Sequence, residues 1–253
     1  MAEPTFGNRL SRAFAHNDNR QARPLVDALG HGFAAVEADI HLVDGELLLG
    51  HGTGDLRPGQ TLSSVYLDPL ARIVAQHGAV YPDAPLVLLI DVKSDAAPAW
   101  RVLRETLAAY DGMLSQHRHD GVLSGVVSVV VSGHVDLPGM EADPVRFASA
   151  DGRLADLEGG LSPVVSMVSA KWSRVFRWDG VRRMPERERA RLRALVSGAH
   201  RRGLAIRFWG TREAMWPELD AAGVDLILAD DLPGMAEYFA GRSGPGTTRR
   251  TDP

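Results

Sequence analysis

The chain has 253 residues, 45% hydrophobic and 24% charged, enough for one large globular domain with a full core. A formal charge of -4 and a pI near 6.1 argue against nucleic acid as the partner, which would need a basic face. The absence of cysteine excludes disulfides and thiolate metal sites. No apolar run reaches the length of a membrane span, and Met1 to Asn8 lacks a signal peptide's apolar core, so the expected location is cytoplasmic. A secreted chain that had lost its leader would read the same way.

In chain order, strand-like apolar runs fall at Arg12–Ala15, Ala34–Leu42, Glu46–Gly50, Leu86–Val92, Val126–Ser132, Val145–Ser149, Val164–Ser169, Leu204–Trp209 and Leu226–Ala229. Helix-like segments lie between them at Arg23–Leu29, Leu62–His77, Trp100–Gln116, Pro185–Arg202, Arg212–Ala222 and Gly234–Ala240. The strands are continuous rather than alternating, which fits a parallel sheet buried on both faces. About eight β/α units in sequence are the signature of an α/β chain folded as a (β/α)8 TIM barrel. A doubly wound open sheet is second, because neither GxGxxG nor a P-loop occurs. The barrel is expected over residues 1–241, with a disordered tail over 242–253 that is rich in Gly, Arg, Thr and Pro.

The sharpest chemistry lies between Ala13 and Gly52. Glu37 and Asp39 sit two apart on a strand and so share a face, roughly 7 Å apart. Such a pair repels unless something positive lies between, and a hard divalent cation is the simplest remedy. His16 and His51 flank the pair and could supply a proton donor and a proton acceptor near neutral pH. Asp44-Gly45 signals a tight hairpin that folds His51 back toward the acidic strand. Strict pairing sets position 51 opposite 38, on the wrong face, so a bend at Gly50 or Gly52 is required.

Barrel active sites gather at the C-terminal strand ends. Asp91 and Lys93 emerge there on one face; Asp91 reads either as a metal ligand or as a structural ion-pair partner. Of 28 basic residues only Lys93 and Lys171 are lysine, which reads either as a need for a compact ammonium at these two sites or as chance drift toward arginine elsewhere. Asn17, Lys93, Lys171, Trp209 and His134 are the candidate substrate contacts. Trp172 and Trp209, at strand ends, read first as core residues and second as a substrate platform, His134 as pocket rim, and His41 as a further pocket candidate. Neither a GxSxG elbow nor HExxH is present, which leaves serine-nucleophile and zinc-protease chemistry without support.

Taken together, His16-Asn-Asp, Glu37-x-Asp39, Asp44-Gly45, Gly50-His51 and Asp91-Val-Lys93 resemble the PI-PLC-like phosphodiesterase superfamily. This group includes glycerophosphodiester phosphodiesterases, sphingomyelinase D-type phospholipases and phosphatidylinositol-specific phospholipases C. The branch whose first motif reads H-N-D-Y followed by R-P-L is the nearest in flavour, matched here by His16-Asn17-Asp18-Asn19 and Arg23-Pro24-Leu25. The resemblance implies a (β/α)8 barrel, Mg2+ (or Ca2+) held by Glu37, Asp39 and Asp91, acid–base histidines at 16 and 51, and a phosphate contact at Lys93. Asn17 stands where typical glycerophosphodiesterases have arginine, and Asn19 where the nearest branch has tyrosine. Their downstream glutamate is missing, so Asp91 completes the metal shell. The implied reaction is cleavage of a small phosphodiester or a lipid head group by water or by a neighbouring substrate hydroxyl, the latter giving a cyclic phosphate. A non-catalytic barrel that binds a phosphoryl ligand is the rival reading, as is a sugar-isomerising metal barrel, which would need further His and Glu ligands at later strand ends.

Overall fold

The computed structural model describes residues 6–242. Eight parallel strands follow one another around the sheet: β1 (Leu10–Ala15), β2 (Phe33–Val43), β3 (Leu86–Val92), β4 (Val127–Gly133), β5 (Ser149–Arg153), β6 (Val165–Lys171), β7 (Ala205–Trp209) and β8 (Ile227–Ala229). β8 pairs back onto β1 through Ala13–Ile227 and its neighbours, and a single parallel bridge, Arg207 to Leu226, closes β7 against β8. The ring is a nearly closed (β/α)8 barrel. No helix among the described residues is long and apolar enough to cross a membrane.

Two apolar layers hold the ring. Between strands and outer helices runs a continuous core that includes Phe33, Ile40, Tyr66, Leu88, Val129, Val168 and Ile206. Inside the barrel a smaller plug of Phe14, Ala35, Leu89, Val130, Met167, Leu226 and Leu228 fills the lower half. Alternation along a strand then sends the residues two positions later to the same interior, one layer higher. From Phe14, Ala35, Leu89, Val130, Met167 and Leu228 these are His16, Glu37, Asp91, Ser132, Ser169 and Asp230.

Three segments depart from expectation. Val145 and Arg146 do not join the barrel; they pair with Gln116–Arg118, which with Gly121–Leu123 makes a small antiparallel sheet before β4 and β5. The true fifth strand, Ser149-Ala-Asp-Gly-Arg153, has little strand propensity and is fixed by tertiary contacts instead. The third long helix runs Ala96–Ala108 rather than Trp100–Gln116, and Leu137–Ala142 adds a helix whose cap, Asp136, accepts the Gly139 amide at 3.2 Å. Gly241 and Arg242 close the last helix, Leu232–Arg242; the rest of the expected tail, 243–253, lies outside the described residues.

Candidate active site at the C-terminal mouth of the barrel

The hairpin explains how His51 reaches the acidic strand. After β2 the chain turns at Asp44-Gly45, where φ is +49° and +87°, and Glu46–Leu49 returns antiparallel with Ile40 opposite Leu49. Pairing ends as the Gly50 amide donates to the Asp39 carbonyl at 3.1 Å. The chain then bends into a tight turn at Thr53–Asp55. The required departure from strict register therefore falls at Gly50–Gly52, and it brings His51 Nδ1 to 3.0 Å from Asp39 Oδ2.

The turn after β1 is built by the first motif. Asn17 takes a left-handed conformation, φ +46°, which asparagine tolerates, and its amide donates to Glu37 Oε2 at 2.9 Å. Asp18 is wholly buried; its Oδ2 accepts the Leu25 amide at 2.6 Å and the Tyr66 hydroxyl at 2.8 Å. Those bonds hold Leu25 at φ +62°, a rare conformation for a branched residue. Burial nevertheless pushes the Asp18 carboxyl up to about 6. Asn19 Oδ1 accepts the Asp39 amide at 3.2 Å.

Glu37, Asp39 and Asp91 converge, each offering an oxygen within 4.8 Å of the others. Burial raises the Glu37 pKa against the opposing pull of Arg207 and His16. The Lys93 ammonium spans the other two, 3.0 Å from Asp39 Oδ1 and 2.7 Å from Asp91 Oδ2. Burial works against its charge, yet Asp91 and then Asp39 more than offset this and hold it above the ordinary lysine value. Gly133, at φ +74°, makes room: a Cβ there would stand 2.0 Å from Asp91 Oδ1.

Three carboxylates suit a hard, oxygen-loving cation such as Mg2+ or Ca2+. Asp39 Oδ1 is fully buried and faces the Lys93 ammonium at 3.0 Å, and a carboxylate oxygen with one such neighbour keeps a second lone pair for an ion. The residues fit a divalent metal.

Both histidines have a carboxylate at Nδ1. His16 Nδ1 lies 2.7 Å from Asp230 Oδ1, just past β8, and its Nε2 lies 3.7 Å from Glu37 Oε2. Together with Asn17, Glu37, Asp91 and Lys93 they line one cleft of about 350 Å³. The far wall carries Arg153, Lys171, Arg174, Arg207 and Trp209. The Lys171 ammonium stands 5.3 Å from the Trp209 ring centre.

Two expected contacts fall elsewhere. His134 does not line the cleft; it is exposed, and its Nδ1 is 2.9 Å from the Ser94 carbonyl. His41 also stands outside the lining, two residues beyond Asp39 where β2 has already turned into the hairpin. Sequence reasoning missed Asp230, Arg153, Arg174, Asp151 and Arg207. Asp151 accepts from the Ser132 and Ser169 hydroxyls at 2.8 and 2.7 Å and from Arg207 at 3.2 Å. Asp230 lies just past the end of β8, the same signal that picked out Asp91, whereas Asp151 lies in the middle of β5. Among the described residues the later strands bring Ser132, Arg153, Ser169, Lys171, Arg207 and Trp209 to the cleft, and not the further His and Glu that a sugar-isomerising metal site would need.

Comparison with known proteins agrees with this architecture. The chain is 29% identical to altered inheritance of mitochondria protein 6 of Eremothecium gossypii, over 90% of this chain and 69% of that protein. It is 25% identical to an Arthroderma benhamiae homolog of that protein, over 89% and 82%, and 25% identical to the Saccharomyces cerevisiae protein, over 86% and 68%. Among solved structures, a glycerophosphodiester phosphodiesterase from Thermotoga maritima superposes with a TM-score of 0.52 at 12% identity, covering 92% of this chain and all of that one. At that identity the likeness is one of fold. Residues 10–145, more than half the chain, match the AIM6-like phosphodiesterase domain, and the chain belongs to that family.

Proposed function

We propose that the protein is a divalent-metal-dependent phosphodiesterase, or a phospholyase that releases a cyclic phosphate, acting on a small phosphodiester or a phospholipid head group. The observation that carries this reading is the matched support of two imidazoles on one cleft. A carboxylate only accepts hydrogen bonds, so Asp230 and Asp39 favour the Nδ1–H tautomer of His16 and His51. Each ring then has Nε2 as the atom that takes or gives a proton. One imidazole removes the proton from water or a substrate hydroxyl; the other protonates the departing alcohol. Mg2+ or Ca2+ on Glu37, Asp39 and Asp91 would supply charge neutralisation at the phosphoryl oxygens. Lys93 and the Asn17 turn orient and neutralise the substrate phosphate from the chain's own side.

The test is turnover of glycerophospho-, lysophospholipid, inositol and nucleotide diesters with Mg2+, followed by phosphorus NMR, which also reveals a ring-closed product. His16→Ala and His51→Ala each lower turnover by about a hundredfold or more, within the range of general acid–base groups. EDTA abolishes turnover and Mg2+ restores it. Wild-type rates in both histidine variants, or turnover indifferent to chelation, would overturn the proposal.

A further inference from the structure

The cleft holds more positive charge than one phosphodiester calls for. Lys93 is matched by Asp39 and Asp91, and Arg207 by Asp151 and Glu37. Arg153, Lys171 and Arg174 remain, on the wall made by the ends of β5 and β6 and the short helix Trp172–Val175. Arg153 stands 3.9 Å from Asp151. Lys171 and Arg174 make no ion pair among the described residues; the Lys171 ammonium meets only the Trp209 ring. Both lysines of a chain that otherwise uses arginine line this one cleft.

This wall is held rigidly. Trp172, between Lys171 and Arg174, is buried, stacks on Phe176 at 4.2 Å and meets Phe208 edge-on at 5.5 Å. Its indole N–H donates to the Trp178 carbonyl at 2.6 Å. The Arg153 guanidinium donates to the carbonyls of Gly152 and Asp151 at 3.1 and 3.3 Å. Lys171 and Arg174, carried on this fixed backbone and without carboxylate partners among the described residues, gain on meeting an anion because no ion pair has to be broken first. The scissile phosphodiester is a monoanion, for which Lys93 and a metal that Glu37, Asp39 and Asp91 would hold already suffice. A phosphate monoester, by contrast, carries nearly two charges and three acceptor oxygens.

Resting on the phosphodiesterase reading of the same cleft, we propose that Arg153, Lys171 and Arg174 form a second anion subsite, which takes a phosphate monoester carried on one alcohol of the phosphodiester substrate. The preferred substrate is then a phosphodiester with a terminal phosphate, and the wall sets specificity rather than chemistry.

The experiment compares diglycerol phosphodiester with the same diester phosphorylated on one terminal hydroxyl, both with Mg2+. In the wild-type protein kcat/KM favours the phosphorylated ester by about tenfold or more, chiefly through KM, as expected for charge-assisted hydrogen bonds. The preference shrinks at high salt. In the double variant Lys171→Met, Arg174→Met the ratio falls toward one; both side chains are exposed, so an unchanged melting temperature checks that the barrel is intact. Equal kcat/KM for the two esters in the wild type, or a ratio untouched in the variant, overturns the subsite. Should neither ester turn over, the phosphodiesterase reading fails and calorimetric titration with glycerol 3-phosphate in EDTA still decides the subsite. Binding by the wild type and by His16→Ala, at least tenfold weaker in the double variant, supports it; no binding, or equal binding in all three, overturns it.

Discussion

Lys93 contests the place that a divalent cation would take. Its ammonium sits on Asp39 Oδ1 and Asp91 Oδ2, two of the three converging carboxylates, and Asp39 is fully buried. Without metal this one cation offsets most of the repulsion within the cluster. Removing it leaves buried charge with no counterion, a loss on the order of 3 kcal/mol. For a domain of this size Lys93→Met should therefore lower the melting temperature in EDTA by roughly 6–12 °C. Saturating Mg2+ should restore much of the loss, so the metal-induced rise in melting temperature is larger in Lys93→Met than in the wild type. Equal rises in the two proteins would show that lysine and metal do not share these carboxylates.

The segment from His16 to Leu25 is where local motif and tertiary structure meet. Its spacing, His-Asn-Asp then Arg-Pro-Leu, exists because Asp18 must reach the Leu25 amide and the Tyr66 hydroxyl inside the core. The folded carboxyl titrates at about 6, above its ordinary value of 3.8. Between those values the unfolded chain has lost its proton while the folded chain still holds it, so stability falls as pH rises through this window. A two-unit shift corresponds to about 3 kcal/mol, present below pH 4 and gone above pH 7. Asp18→Asn keeps an acceptor for both donors but cannot titrate. Urea unfolding from pH 4 to 7.5 should show the wild type losing about that much relative to the variant; parallel pH profiles would refute it. The elements around this segment were legible because apolar runs such as Leu86–Val92 sit on the barrel unmodified. Glu37, Asp39, Asp91 and Lys93 were legible because a spacing of two puts them on one strand face. Ser149–Arg153 was not, since small and polar residues there satisfy neighbouring strands rather than a local preference. For the same reason Asp151, Arg207 and Asp230 were missed: each has its partner on another strand, and sequence spacing carries no record of which strands become neighbours.

At the scale of the whole barrel, one guanidinium ties together strands far apart in the chain. Arg207, on β7, is 4% exposed and lies over the Phe14 ring of β1 at 5.5 Å. Its Nη2 reaches Asp151 of β5 and the Ser132 hydroxyl of β4, and its Nη1 faces Glu37 of β2 at 3.7 Å. The β7–β8 seam beside it has one ladder bridge among the described residues, to Leu226, with the Asp225 amide donating to the Ile206 carbonyl at 3.1 Å and the Ile206 amide to Asp225 Oδ2 at 2.9 Å. Burial alone would discourage the charge, but Asp151 and Glu37 outweigh it and raise the arginine pKa further. Arg207→Met deletes the countercharge and leaves Asp151 and Glu37 buried together, which should cost about 3–5 kcal/mol. Adding Asp151→Asn removes one of the stranded charges while keeping an acceptor for Ser132 and Ser169, so the double variant should be more stable than Arg207→Met alone. In a double-mutant cycle the two changes are then coupled by at least about 1 kcal/mol. Additive losses would mean that Arg207 serves the barrel through its packing on Phe14 rather than through charge, and a wild-type melting temperature in Arg207→Met would remove it from the closure altogether.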